Sequence, residues 1–297
     1  MDQVEYIDDQ FASNNWVIHG NYTKTGKPLL AGDPHLGNQL PSHWYLMEMS
    51  YEGFTATGAT HPGVPNFMFA KTPHMTWAIT SALTDLSDLF REKLNDEKTK
   101  YFVDGEWRDL RIINEKILIK GQDKPVDFLI KYTHRGPLVD VDLLQGAEVL
   151  FSEGLPSPRQ KSVYSFAWTG DIPYESTVRV VREFIRATNI KQIEESFDKD
   201  EIFASVPQNL LLAFENGDIG FFLANNMPIR KHQKPYTGCR VLDGTTTQDD
   251  WVGYLKPKDL PRVINPKKGF IVTANNRQMP DNVNIDVGAT ITSTIRA

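Results

Sequence analysis

The chain has 297 residues, 40% hydrophobic and 24% charged, the balance of a globular protein with enough apolar surface to enclose a site. Its net charge of −6 comes without a basic stripe, which argues against a nucleic-acid partner, and no apolar run approaches the ~18 residues of a membrane-spanning helix. The single cysteine, Cys239, rules out an internal disulfide and a cysteine-built metal site.

The leader MDQVEYIDDQFA carries Asp2, Glu5, Asp8 and Asp9 and no base, the opposite of a secretory signal's charge. NWVIHG and KPLLAG flank the turn-rich NYTKTG, which predicts a hairpin over 14–32. GFTATGATHPGVPNFMFAKT is punctuated by glycine and proline, and MTWAITSAL follows as a strand with an apolar face. In KTKYFVDGEWRDL, Asp104-Gly105 separates two aromatic runs, a strong hairpin signal. RIINEKILIK and VDFLIKYTHRGPLV continue the strands across GQDKP. The period changes in ESTVRVVREFIRATNIKQIEESFDKD, where Val178, Val181, Phe184, Ile185 and Ile190 recur at helical spacing. NLLLAFENGDIGFFLA turns on Asn216-Gly217-Asp218, and GFIVTA is a last strand ending at Asn275-Asn276. With no internal repeat or linker, this order predicts one α+β domain of stacked sheets. Their outer faces need helical cover, part of it from outside this segment.

The first hairpin brings two reactive side chains together. With its turn near Lys24, paired residues have numbers summing to about 48, so Ser13 lies opposite His35 within a residue or two. Three readings follow. Ser13 and His35 form a nucleophile–base pair, for which Asp33 is a poor orienter because Pro34 favours a turn. Alternatively, GDPHLG is only a tight loop. In the third, Ser13 is the first residue of the working chain and its own α-amine, with a pKa of ~7.7–8.0, is the base.

The residues SNNWVIHG…GKPLLAGDPHLG…LPSHWYLMEM…GATHPGVPNFMFA…TWAITSALTDLSDLF resemble the penicillin acylase (penicillin amidase) family of N-terminal nucleophile hydrolases. The similarity resumes in THRGPLV, PQNLLLAFENGDIGFFLANNMPIR, WVGYL and NPKKGFIVTANN, covering 13–297. The resemblance implies a four-layer αββα sandwich and a precursor that cuts itself before Ser13, with residues 1–12 the end of a spacer. Ser13 is then the nucleophile, and His35 stands where relatives carry Gln or His and helps hold the serine and its amine. The oxyanion donors are the Ser81 backbone N–H and the Asn275 side-chain amide, while Arg296 lies close to the site. TDLSDLF resembles a calcium site, with carboxylates from Asp85, Asp88 and Asp286 and carbonyls from Ser87 and Pro228. Calcium takes six to eight oxygens, and the family draws a further acidic ligand from a light chain.

The acyl pocket implied by the resemblance is lined by Leu36, Met68, Phe69 and Ile79 and takes an apolar acyl group. One departure stands out, because the family's usual RHGP is replaced by THRGPLV, with Arg135 where histidine is common. The expected activity is hydrolysis of a linear non-peptide amide through an acyl-enzyme. Expected substrates are β-lactam side-chain amides and N-acyl homoserine lactones, with no organic cofactor and a light-chain segment of the same precursor as partner. The competing expectations are a catalytically silent binding module and a Ser13-His35 esterase that needs no processing.

Overall fold

In the computed structural model the described residues are 12–64, 67–139, 163–171, 185–198, 207–231 and 241–276. Residues 1–11, Val178, Val181, Phe184, Cys239, Asp286 and Arg296, all singled out in the sequence, lie outside them.

The predicted first hairpin is present as β1 (Ala12–Ile18) and β2 (Leu29–His35), paired antiparallel. Ser13 stands opposite Pro34, and His35 opposite Ala12, so the expected register is met to within one residue. After β2 the chain forms β3 (Tyr45–Tyr51), β4 (Phe54–Thr60), β5 (Phe69–Lys71) and β6 (Met75–Ser81). Next come β7 (Ser87–Glu92), β8 (Lys100–Val103) and β9 (Glu106–Asp109). The β8–β9 turn has Asp104 and Gly105 both at positive φ, 50° and 85°, the backbone twist that an Asp-Gly hairpin provides. β10 (Arg111–Ile117) and β11 (Val126–Tyr132) form a second ribbon, followed by β12 (Leu138–Val139) and β13 (Val163–Trp168).

Of the predicted helix, the described part is α1 (Ile190–Asp198). The remaining strands are β14 (Gln208–Phe214), β15 (Ile219–Ala224), β16 (Pro228–Arg230), β17 (Val241–Asp243), β18 (Trp251–Tyr254), β19 (Arg262–Ile264) and β20 (Phe270–Thr273).

Two sheets stack over one core. The larger has the antiparallel order β19-β15-β14-β6-β5-β4-β3, and the smaller is β2-β1-β20. Val17 and Ile271 from the smaller sheet meet Leu211, Ala213, Ile219, Phe221 and Leu223 from the larger. The opposite face of β14 sends Leu210, Leu212 and Phe214 against Ile190, Ile193 and Phe197 of α1. β14 is therefore apolar on both faces, which is why NLLLAF shows no alternation. This is the expected α+β sandwich, with α1 as one outer layer. A separate sheet, β12-β13-β7-β17, runs beside it, with β17 parallel to β7. No helix among the described residues is long and apolar enough to cross a membrane.

Candidate active site at the head of the first strand

Alternation along β1 sets which side chains meet. Asn15 and Val17 are fully buried and Asn14 and Trp16 exposed, so Ser13, Asn15 and Val17 point inward between the sheets. Ala12 and Asn14 lie on the outer face, and His35, paired with Ala12, shares it. His35 Nε2 sits 3.4 Å from Asn14 Nδ2 and 3.2 Å from Asp33 Oδ2. The structure thus gives His35 a carboxylate neighbour on the face away from Ser13. Asp33 was expected to be a poor orienter because of a turn at Pro34. Instead β2 stays extended through His35, which puts residues two apart on one side.

What meets Ser13 is Asn275. The Ser13 backbone N–H donates to Asn275 Oδ1 at 2.6 Å, and Asn275 Nδ2 donates to the Ser81 carbonyl at 2.7 Å. Asn275 has φ of 58°, a left-handed backbone that asparagine tolerates, immediately after β20. Its amide therefore ties the head of β1 to the end of β6. An amide nitrogen carries two hydrogens, so one remains after the bond to Ser81. The Ser81 N–H shares the side of β6 from which its carbonyl meets Asn275. The Ala82 N–H bonds the Pro207 carbonyl at 3.0 Å, so one residue back the amide and carbonyl of β6 point away from β14. Ser13, Ser81 and Asn275 are thus brought together from three strand ends.

A buried polar layer lies behind them. Thr80 Oγ1 donates to Thr273 Oγ1 at 3.1 Å across the sheets and accepts from Asn209 Nδ2 at 3.1 Å. Thr273 is the cross-strand partner of Asn15. These four residues are each essentially inaccessible to solvent. Short polar residues inside otherwise apolar strands, Asn15, Thr80, Asn209 and Thr273, are the sequence signal for this layer.

The candidate pocket residues divide. Phe69 lines an open cavity of about 580 Å³ with Leu30, Gly32, Met47, Trp77 and Ala78. Trp44 stacks on His61 with ring centres 4.5 Å apart and meets the Phe69 ring edge-on at 5.1 Å. Leu36 and Met68 are half-buried nearby in sequence but do not line that cavity. Ile79 is turned to the other side of β6, against the core under α1, because it is one residue out of phase with Ala78.

Two of the candidate calcium residues, Asp85 and Asp88, face a cation that the protein itself supplies. Arg230 Nε donates to Asp88 Oδ2 at 2.7 Å, and its Nη2 lies 3.0 Å from Asp85 Oδ2. Trp251 Nε1 also donates to Asp88 Oδ2, at 2.6 Å. Burial raises the Asp88 carboxyl pKa, against the pull of Arg230 and Trp251. The Ser87 N–H turns back on Asp85 Oδ1 at 3.4 Å, and Pro228 opens β16 two residues before Arg230. One buried oxygen, Asp88 Oδ1, has no partner, which is the feature that suits a metal. Both carboxylates are shared with the Arg230 guanidinium, and Asp286, the third of the expected set, lies outside the described residues, among which no group of three His, Cys, Asp or Glu can hold an ion.

Arg135 is the centre of a separate buried cluster. It donates to Asp250 Oδ1 at 2.6 Å, to Glu92 Oε1 at 3.0 Å, and to the carbonyls of Gly244 and Thr246 at 3.0 and 2.7 Å. His134 bridges Asp250 and the Tyr101 hydroxyl at 2.9 and 3.1 Å. Burial raises the Glu92 carboxyl pKa despite bonds from Ser165 and Arg135. For Asp250 burial acts in the same sense, but the hydrogen bonds from His134 and Arg135 outweigh it and the pKa is lowered. The arginine at the departure from RHGP is thus a buried cation held by two carboxylates and two carbonyls.

A two-sheet α+β sandwich with a serine heading an inner strand, and an asparagine amide on its backbone nitrogen, defines the class. The chain belongs to the penicillin amidase family, whose model matches residues 2–297. It is 31% identical over 268 residues to an acyl-homoserine lactone acylase, QuiP, of Pseudomonas aeruginosa, a match spanning 90% of this chain and 30% of the relative. Against the penicillin acylase 2 proenzyme of a Pseudomonas species it is 29% identical, over 91% of this chain and 32% of that one. The thermostable penicillin G acylase of Alcaligenes faecalis superposes with a TM-score of 0.73 at 23% identity, covering 94% of this chain and 47% of the solved one, which establishes the shared fold. The chain spans about a third of the length of these two curated relatives.

Proposed function

We propose that the protein is an amidohydrolase that cleaves linear, non-peptide amides with Ser13 as an N-terminal nucleophile. The observation that carries this reading is the Asn275 amide, held between the Ser13 nitrogen and the Ser81 carbonyl. In maturation, Ser13 Oγ attacks the Ala12 carbonyl carbon, the Ala12–Ser13 C–N bond breaks, and water hydrolyses the resulting ester. Ser13 is left with a free α-amine, and Asn275 Oδ1 is already placed to accept a hydrogen from it.

In turnover the amine takes the proton from Oγ as Oγ adds to the substrate carbonyl. The negative oxygen is met by the remaining Nδ2 hydrogen of Asn275 and by the Ser81 N–H. Collapse expels the amine product, which carries the proton away, and water then releases the acid from Ser13. The placement of His35 on the outer face of β1 favours the amine over a Ser–His pair as the base. Acyl-homoserine lactones and penicillins, the compounds in the relatives' names, are the proposed substrate classes. A light-chain segment of the same precursor is the proposed partner, and no step is routed through a metal.

Intact-mass measurement of the full-length protein tests the scheme. A chain beginning at Ser13, accompanied by hydrolysis of N-acyl substrates and lost in Ser13→Ala, is expected. A soluble wild-type protein that hydrolyses amides while uncut before Ser13 would overturn the free-amine mechanism.

A further inference from the structure

β6 loses the support of its sheet just where the proposed oxyanion donor stands. Ser81 pairs with Gln208 but turns its own backbone groups away from β14. On the other side, β5 reaches only Trp77 and Thr76. One residue further, Ala82 lies opposite Pro207, and the Ala82 N–H donates to the Pro207 carbonyl at 3.0 Å. Proline has no N–H to return, so half of that ladder pair is missing.

Beyond Ala82 the chain makes a strained turn. Leu83 has φ of 51°, and among the described residues it is the one apolar side chain at positive φ. A bulky side chain in that region is an outlier that its surroundings must hold in place. The neighbouring Thr84 is held: its Oγ1 accepts a hydrogen bond of 2.6 Å from Asn225 Nδ2. Asn225 stands one residue past β15, level with Pro207 by the register of β14 and β15, and is inaccessible to solvent. Its Oδ1 has no partner, so the amide carries a cost that a leucine of similar size would avoid. Asp85, next in the chain, is tied to the same connection by Arg230 Nη2 at 3.0 Å.

We infer that Asn225 is a positioning residue: its bond to Thr84 keeps Leu83 in the left-handed turn after β6 and so fixes the Ser81 N–H for the oxyanion. The consequence for turnover rests on the amidohydrolase reading; the hold on the turn does not. Freed of the bond, Leu83 relaxes to negative φ. The change falls on Ala82, whose single bond to Pro207 is all that fastens the strand end to β14. A donor displaced by about half an ångström loses roughly tenfold in rate, since 1 Å costs ~10²-fold.

The test uses the full-length protein with N-decanoyl-homoserine lactone, taking kcat per folded molecule that begins at Ser13. Asn225→Leu and Thr84→Val, which remove the donor and the acceptor, are each expected to lower kcat about tenfold with KM little changed. Thr84→Ser, which keeps the hydroxyl, recovers most of it. Adding Leu83→Asn to Asn225→Leu is also expected to restore most of kcat, because asparagine accepts the left-handed backbone unaided. The half-buried Thr84 pair keeps the test open if Asn225→Leu does not fold. Hydrogen exchange at the Ala82 amide reads the turn without turnover and is expected to speed up in Asn225→Leu and Thr84→Val. Unchanged Ala82 exchange in both variants overturns the inference, as does unchanged kcat, or a loss that neither Thr84→Ser nor Leu83→Asn recovers. A wild type that hydrolyses no amide while both variants speed Ala82 exchange overturns the amidohydrolase reading and leaves the hold on the turn standing.

Discussion

Asn275 carries one acceptor and two donor hydrogens, and each has a separate task at the head of β1. Oδ1 holds the Ser13 nitrogen, one Nδ2 hydrogen holds the Ser81 carbonyl, and the other is the oxyanion donor of the proposed mechanism. Removing an oxyanion donor of this kind typically lowers kcat ~10²–10³-fold. We therefore expect Asn275→Ala to lose about that much of kcat in N-acyl amide hydrolysis, with processing before Ser13 also slowed. His35→Ala is expected to change kcat less than tenfold, because its ring contacts Asn14 and Asp33 on the outer face. Steady-state kinetics with intact-mass spectra checks both.

Single elements carry this site only because their ends are clamped. The Thr80–Thr273 hydroxyl pair joins β6 to β20 within two residues of Ser81 and Asn275, and it is buried between the sheets. Thr273→Val keeps the shape and removes the hydroxyl. It is expected to lower stability by ~1–3 kcal/mol, the cost of leaving Thr80 without its acceptor, and to lower kcat more than it raises KM. Thr273→Ser restores the hydroxyl and is expected to recover most of kcat. Urea titration with kinetics separates the two effects, since a purely structural role would leave kcat per folded molecule unchanged.

The same elements show what the sequence could convey. The first hairpin was legible because apolar residues alternate on both sides of a turn-rich link, and its register followed from counting. β3 and β4 were not read, because β3 is exposed on both faces and β4 is built of small residues in FTATGAT. The placement of Ile79 could not be read either. Adjacent strand residues face opposite ways, and the phase of β6 is settled only by what packs above and below it.

Across the whole molecule, stability has a second centre around Arg135. Arg135 satisfies two carboxylates and two carbonyls while almost wholly inaccessible, so Arg135→Met strands Glu92 and Asp250 and is expected to cost ~3–5 kcal/mol in chemical denaturation. Its two carboxylates act oppositely with pH. The Asp250 pKa is lowered on folding, so its stabilisation is present above the unfolded value of ~3.9 and is lost as pH falls through the folded one. The Glu92 pKa is raised, so its contribution is fully present below the unfolded value of ~4.3 and fades as pH rises through the folded one. Asp250→Asn is accordingly expected to flatten the acid limb of the stability profile, measured by thermal melts between about pH 2 and pH 5. No sequence pattern announced this cluster, because its members lie on strands and loops from Glu92 to Asp250 and meet only in the folded chain.

The left-handed backbone at residue 275 narrows which amino acids can stand there. Glycine accepts that conformation and offers no side chain. Aspartate accepts it and brings two acceptors with nothing to donate. Glutamine has the right amide on a longer stem and a backbone that resists the twist. Of the twenty side chains, asparagine alone combines tolerance of the twist with a short amide that both gives and receives hydrogen bonds. A substitution series of Gly, Asp and Gln at this one position would therefore separate the cost of the bend from the loss of the donor, and both from the loss of reach.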